Sequence, residues 1–496
     1  MDCVLAIDQG TSSTRALVFE RSGRVLGSAQ REFDQIFPRD GWVEHDPEIL
    51  WQTTLFAARG ALLDAGIEAR ALTGIGITNQ RETTIVWDAD TGVPVYNAIV
   101  WQDRRTAPRC DRIRADGMAE LITDTTGLVI DPYFSSTKIA WLLDTVPGLR
   151  ARAANGKLRF GTVDSFLIWR LTLGAKHLTD ATNASRTQLF NLTDQRWDAE
   201  LLRYFNLPTS LLPEVLDSAG DYGVADAQWL GAPVPILGVA GDQQAALIGQ
   251  GCVERGMTKS TYGTGCFLVT NTGGSLIRST HGLLSTVGYR IDGQTTFAVE
   301  GSIFVAGAAV KWLRDSLRVV ESAAETEAAA RRSGREAGGV YLVPAFTGLG
   351  APHWRPEARG LICGLSLDTS RDDLIAATLA SVGYQSADLL TALARDGAAV
   401  TCLRVDGGMV ANDWLCQFLA DIAGVRVERP MTTETTALGA GMLAALGGGL
   451  VKSLREAAQL WHLQRGFEPE IDAALRQRLL TGWSIAVART LGHAIA

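Results

Sequence analysis

The chain has 496 residues, a formal net charge of -8 from 46 basic and 54 acidic side chains, and 46% hydrophobic residues. That length exceeds what one hydrophobic core usually organises, so two domains are expected. The acidic balance, with a pI near 5.4, argues against nucleic acid as the main partner, and any anion site has to be local.

Seven cysteines without a C-x-x-C spacing and six histidines without an H-E-x-x-H spacing argue against the common zinc patterns, and point to reduced, mostly buried thiols in a cytoplasmic setting. No basic segment leads a long apolar one at the N-terminus. The longest low-charge stretch, 437–451, is too short and too glycine-rich to cross a bilayer, so no membrane insertion is expected.

In chain order, the apolar run 4–7 and the run 16–19 read as two strands joined by a turn, Asp8-Gln9-Gly10-Thr11. Residues 48–65 have helical spacing, 72–78 read as a strand ending in a polar turn, and 99–101 as another short strand. The segment 233–239 reads as a strand that ends at Gly241-Asp242-Gln243, with a helix starting over 244–248. Glycines 249, 251 and 256 cluster just afterwards and place a domain boundary near 250–257, giving domains 1–252 and 253–496.

Thr261-Tyr262-Gly263-Thr264-Gly265 then repeats the small glycine and hydroxyl turn of the N-terminus. Ser370 can cap a helix through residue 390, 403–405 read as a strand running into Asp406-Gly407-Gly408, and a further helix begins near Asn412 and stops at Gly424.

The repeated turn carries the functional argument. Glycines let a backbone turn tightly with its amides converging, and hydroxyls add donors, so each copy can hold anionic oxygen. No G-x-x-x-x-G-K-[ST] loop and no G-x-G-x-x-G fingerprint occurs in the chain. Two phosphate-holding hairpins, one at the head of each half, point instead to a duplicated α/β architecture of two actin-like (ribonuclease H-like) ATPase domains with an interdomain cleft. Ordinary hairpin turns remain the alternative for either copy taken alone.

Eight ordered segments, DQGTSSTR (8–15), ITNQRETT (77–84), VWQDRR (100–105), GLVIDPYFSSTK (127–138), GDQQA (241–245), TYGTGCF (261–267), PAFTGLGAPHW (344–354) and VDGG (405–408), resemble the FGGY carbohydrate kinase family, in particular its glycerol kinases. The resemblance runs to about residue 450. It implies ATP-dependent phosphorylation of glycerol, with Mg2+ as the metal and a homo-oligomer, dimer or tetramer, as the assembly.

It also implies roles residue by residue. Asp242 matches the general base; a plain helix cap is the alternative for it. Arg81 and Glu82 match the glycerol-binding pair, a guanidinium donating to hydroxyls and a carboxylate accepting from them, where the bland alternative is an exposed ion pair. Tyr133 and Gln243 join them, and Trp101 and Phe267 match aromatic positions that pack the carbon skeleton. Thr11, Ser12, Ser13 and Arg15 match the first phosphate contacts, and Thr264 the opposite one. Gly307, Gly408 and Asn412 match positions around the adenosine; Asn412 can also serve as a helix cap. Asp8 matches the carboxylate that orients magnesium, in part through water. Lys311 departs from the pattern, standing where some relatives carry glutamine.

Competing readings are another FGGY sugar or polyol kinase, for xylulose, ribulose or similar, and an actin-like ATPase with no small-molecule acceptor. Arg81 and Glu82, with Trp101 and Tyr133, favour glycerol over the first, and Arg81 and Glu82 together with Asp242 count against the second.

Overall fold

The computed structural model describes residues 2–398 and 400–492. Two mixed sheets organise the chain. The first is built from β1 (Cys3–Gln9), β2 (Ser13–Glu20), β3 (Val25–Glu32), β4 (Leu72–Asn79), β5 (Val224–Ala225) and β6 (Val234–Gly241), in the order β5-β6-β4-β1-β2-β3. The helices α1 (Pro47–Ala65) and α2 (Asp242–Gly249) belong to this half of the sequence. The second sheet is built from β7 (Thr258–Tyr262), β8 (Cys266–Gly273), β9 (Leu284–Ile291), β10 (Gln294–Ile303), β11 (Cys402–Asp406), β12 (Arg426–Pro430) and β13 (Leu463–Phe467), in the order β9-β10-β8-β7-β11-β12-β13.

The duplication expected from the turns is visible in these orders. β1 pairs antiparallel with β2 and parallel with β4, which pairs parallel with β6. In the same sense β7 pairs antiparallel with β8 and parallel with β11, which pairs parallel with β12. Each glycine-hydroxyl turn is the hairpin at the head of its own sheet. Leu5, Ile7, Trp51, Ile75 and Ile77 anchor one core, and Leu268, Leu389, Leu403, Val405 and Leu419 another.

Local chemistry explains the element limits. Asp46 accepts from the backbone of Glu48 and Pro47 opens α1, while Gly66 closes it at φ 65°. In the second half lie α3 (Gly307–Asp315), α4 (Arg371–Arg395), α5 (Asp413–Ala423) and α6 (Thr435–Gly447). Ser370 and Asp373 form a reciprocal capping box at the start of α4. Asn412 caps α5 by accepting from the backbone of Leu415, and Gly424 ends it at φ 68°. The strand expected over 99–101 is shorter: Ala98–Ile99 pair with Glu44–His45, and Trp101 lies in the turn beyond.

Late sequence returns to the first sheet through α6, which fills the low-charge stretch. A Cβ on Gly76 of β4 would sit 2.1 Å from the Ala440 carbonyl oxygen. α2 and α6 cross in backbone contact, since a Cβ on Gly249 would lie 1.8 Å from the Thr435 oxygen and one on Gly439 1.8 Å from the Ala245 oxygen. Gly76, Gly249 and Gly439 therefore serve packing: only a residue without Cβ admits this approach. Among the described residues no helix is long and apolar enough to cross a membrane, and five of the seven cysteines are buried.

Candidate active site

The site begins where the strands of the first sheet end. β4 delivers Arg81 and Glu82 just past its last residue, and β6 delivers Asp242 at the first position of α2. Gly241, not Asp242, is the N-cap, so the plain capping alternative for Asp242 fails; its Oδ1 accepts from the adjacent Gln243 amide at 2.7 Å and faces Arg81 Nε at 3.0 Å.

The alternative of an exposed Arg81–Glu82 pair also fails. Arg81 and Glu82 are 2% and 1% exposed, and each has other partners. Arg81 reaches Glu300 by two bonds of 2.5 and 3.2 Å, Gln244 at 3.3 Å and the Tyr133 hydroxyl at 3.5 Å. Glu82 accepts from Arg186 Nε at 2.7 Å. Its backbone is at φ 60°, unusual for a residue with a side chain, and its carbonyl is held from outside by Ser135 Oγ at 3.1 Å and Lys138 Nζ at 3.3 Å. Lys138 also donates to the Tyr133 carbonyl at 2.7 Å.

Burial acts on Glu82, Glu300, Lys138, Tyr133 and Lys259. It pushes Glu82 up, opposed by the guanidiniums of Arg186 and Arg81. In Glu300 burial also opposes ionisation, but Arg186 and Arg81 outweigh it and hold the carboxyl well below the usual range. Burial brings Lys138 down to about 7 and raises the Tyr133 phenol well above its ordinary value, leaving it a neutral donor. Lys259 is lowered by burial against the opposing charges of Asp406 and Asp242, and its Nζ donates to the Gln243 side chain and to Thr261.

Aromatic rings bound the cleft beside Arg81. The Trp101 ring lies 5.7 Å from Tyr133 and 6.2 Å from Phe267, edge to face in both cases, so a residue of the second sheet closes the group. Trp101 Nε1 donates to Thr11 Oγ1 at 2.9 Å, joining these rings to the first glycine-hydroxyl turn. In that turn the Gly10 amide donates to the Ser13 carbonyl at 3.0 Å; Ser12 is exposed and Ser13 begins β2. Arg15 is not free beside it, because Glu434 holds it at 2.9 Å across the two halves of the chain. Asp8, at the mouth of β1, is pushed up to about 7 by desolvation, opposed by Arg15 and reinforced by the Asp242 and Glu434 carboxylates.

Opposite lies a cavity of about 580 Å³ lined by Gly263, Thr264, Gly307, Lys311, Gly408 and Asn412, with Arg314, Glu327 and Met409. All five residues assigned to the nucleotide on this side thus line one space, of ordinary size for a small-molecule ligand. Gly307 is there by necessity: a Cβ would meet the Gly263 carbonyl oxygen at 2.6 Å, and its own amide donates to that oxygen at 2.9 Å. Lys311 lies exposed on the cavity wall, so a cation does flank the space despite the departure at that position.

Family models for the FGGY family of carbohydrate kinases match the chain in two parts, the N-terminal domain over residues 3–249 and the C-terminal domain over 258–447. The chain belongs to the FGGY family of carbohydrate kinases. Within that family it is 58% identical over 487 residues to a glycerol kinase of Ectopseudomonas mendocina, covering 98% of each chain. It is 57% identical over 491 residues to glycerol kinase 1 of Pseudomonas aeruginosa, covering 99% of each. Among solved structures it is similar to Plasmodium falciparum glycerol kinase with ADP, at a TM-score of 0.93 and 34% identity, covering 99% of this chain and 98% of that one. Its likeness to a xylulose kinase from Lactobacillus acidophilus, TM-score 0.89 at 20% identity over 99% of each chain, is one of fold.

Four buried groups of this FGGY site had no place in the motif-based expectation: Arg186, Glu300, Lys138 as a brace, and Lys259. A signal existed for Glu300, a lone carboxylate inside the apolar run Phe297 to Phe304, since such charges are rarely buried unless paired.

Proposed function

We propose that the chain transfers the γ-phosphoryl group of ATP to a terminal hydroxyl of glycerol, yielding sn-glycerol 3-phosphate and ADP. The observation that carries this reading is the convergence of buried Arg81, Glu82 and Tyr133 on the partly exposed Asp242 beside the two phosphate turns, in a chain 57–58% identical over nearly its whole length to glycerol kinases. A fully hydroxylated neutral substrate needs both donors and acceptors, and this wall supplies both.

In the reaction, the glycerol hydroxyl oxygen forms a bond to the γ-phosphorus as the bond to the β,γ-bridging oxygen breaks. Asp242 takes the hydroxyl proton, and ADP leaves with the electron pair. Thr11, Ser12 and Ser13 with Arg15 from one side and Thr264 from the other neutralise and orient the phosphates. Gly307, Lys311, Gly408 and Asn412 receive the adenosine. Gln243, tied to Lys259, fixes the start of α2. Trp101 and Phe267 cover the carbon chain. Asp8 fits a hard cation, being an oxygen donor among acidic neighbours whose charge a divalent ion would relieve. Mg2+ held by Asp8 would supply charge neutralisation there.

The exchange between domains is proposed to fall at 252–253, with α6 returning across it to the first sheet. The test is product identification: 31P NMR of a reaction in glycerol and ATP, coupled to an sn-3-specific glycerol phosphate dehydrogenase, should show stoichiometric ADP and the sn-3 ester. Formation of inorganic phosphate in its place would reject the reading.

A further inference from the structure

Glu300 is the member of the buried lattice that comes from the wrong side of the molecule. It stands in β10 of the second sheet, 219 positions from Arg81, yet both of its oxygens accept from the Arg81 fork, at 2.5 and 3.2 Å. One of them also accepts from Arg186 Nη2 at 3.1 Å, and Arg186 in turn holds Glu82 at 2.7 Å. Glu300 and Arg186 are 0% exposed.

A planar guanidinium gripped by two carboxylate oxygens has its plane fixed. That leaves the long contacts of Arg81, to Gln244 at 3.3 Å and Tyr133 at 3.5 Å, as the ones a hydroxyl can replace. Without Glu300, the nearest carboxylate to Arg81 is Asp242, at 3.0 Å, and the fork would turn towards it.

We infer that Glu300, acting with Arg186, is a positioning residue for polyol recognition: it sets the Arg81 fork directly and the Glu82 carboxylate through Arg186, so that the second half of the chain completes the acceptor pocket. The inference rests on the reading of Arg81 and Glu82 as the glycerol-binding pair.

Steady-state kinetics and thermal melting of the full chain carrying Glu300→Gln, Glu300→Asp, Arg186→Lys or Arg81→Lys test it. Loss of one charge-assisted contact predicts a rise in KM for glycerol of about 10- to 100-fold in Glu300→Gln, with KM for ATP within about twofold of the parent and partial recovery in Glu300→Asp. Arg186→Lys should show the same selective defect, which keeps the test open should Glu300→Gln fail to fold. An unchanged glycerol KM in Glu300→Gln, beside a raised one in Arg81→Lys, overturns the inference alone. An equal rise in both KM values with a lowered melting temperature also overturns it, marking Glu300 as structural. An unchanged glycerol KM in Arg81→Lys overturns the reading of the pair and the inference with it.

Discussion

At the scale of single residues, Asp242 is the proposed base, and its surroundings fit that role. It sits at the first position of α2, touched by Arg81 at 3.0 Å and half open to the cleft, so it can meet a hydroxyl while its carboxylate stays oriented. Asp242→Asn should lower kcat by about 10²- to 10⁴-fold, because the amide accepts no proton, while ATP binding measured by calorimetry is retained. Full activity in that variant would assign the proton to another group.

Asp164 offers a contrast away from the cleft. It is buried, accepts from Thr162 at 2.5 Å and Thr179 at 2.6 Å, and burial raises its carboxyl from the ordinary 3.8 to about 7. A carboxyl whose folded pKa lies above its unfolded value contributes stability that is present below about 4 and lost as pH rises through about 7. Asp164→Asn should therefore flatten the pH dependence of the urea midpoint in that window; an unchanged slope would mean that Asp164 does not titrate there.

The motif residues were legible in the sequence because glycine-hydroxyl turns and strand-end carboxylates have local signatures. Arg186 was not, and Glu300 showed only as a lone carboxylate in an apolar run, because an ion pair between segments 114 positions apart leaves no local pattern that names its partner.

Among the elements, the hairpins, α1, α4 and α5 were legible to within a few residues, since apolar periodicity and capping residues act locally. The β9–β10 hairpin was not picked out, although its turn, Asp292 at φ 50° and Gly293 at φ 70°, has the left-handed pair that favours Asp-Gly between strands. The packing of α6 on the first sheet lay beyond sequence reading, because it joins residues far apart in the chain.

The α2–α6 crossing gives the element-scale prediction. Each Cβ added there would sit 1.8 Å from a backbone oxygen, which no rotamer change can relieve. Gly439→Val should cost about 1–3 kcal/mol or more in denaturant unfolding, as overpacking does. The same change at Gly293, whose Cβ would meet nothing within 4 Å, should act through backbone strain alone and spare the crossing. Equal stability of Gly439→Val and the parent would show that the helices can part without cost.

For the whole molecule, the duplicated sheets place two hairpins on opposite sides of a cleft, and the contacts between the halves include Arg15 with Glu434, Arg81 with Glu300 and Trp101 with Phe267. The proposed placing of a polyphosphate between the halves, against an acceptor pocket completed by both, would make phosphoryl transfer depend on the two substrates together. The fold class was legible in the sequence through its repeated turn, whereas the closeness of Trp101 to the first turn, through Thr11, came only from the structure. The most direct measurement is ADP release by the purified chain over a panel of glycerol, longer polyols, xylulose and ribulose at saturating ATP. The account predicts turnover that requires an acceptor and is fastest with glycerol; faster turnover on xylulose or ribulose, or ADP release indifferent to every polyol, would contradict it.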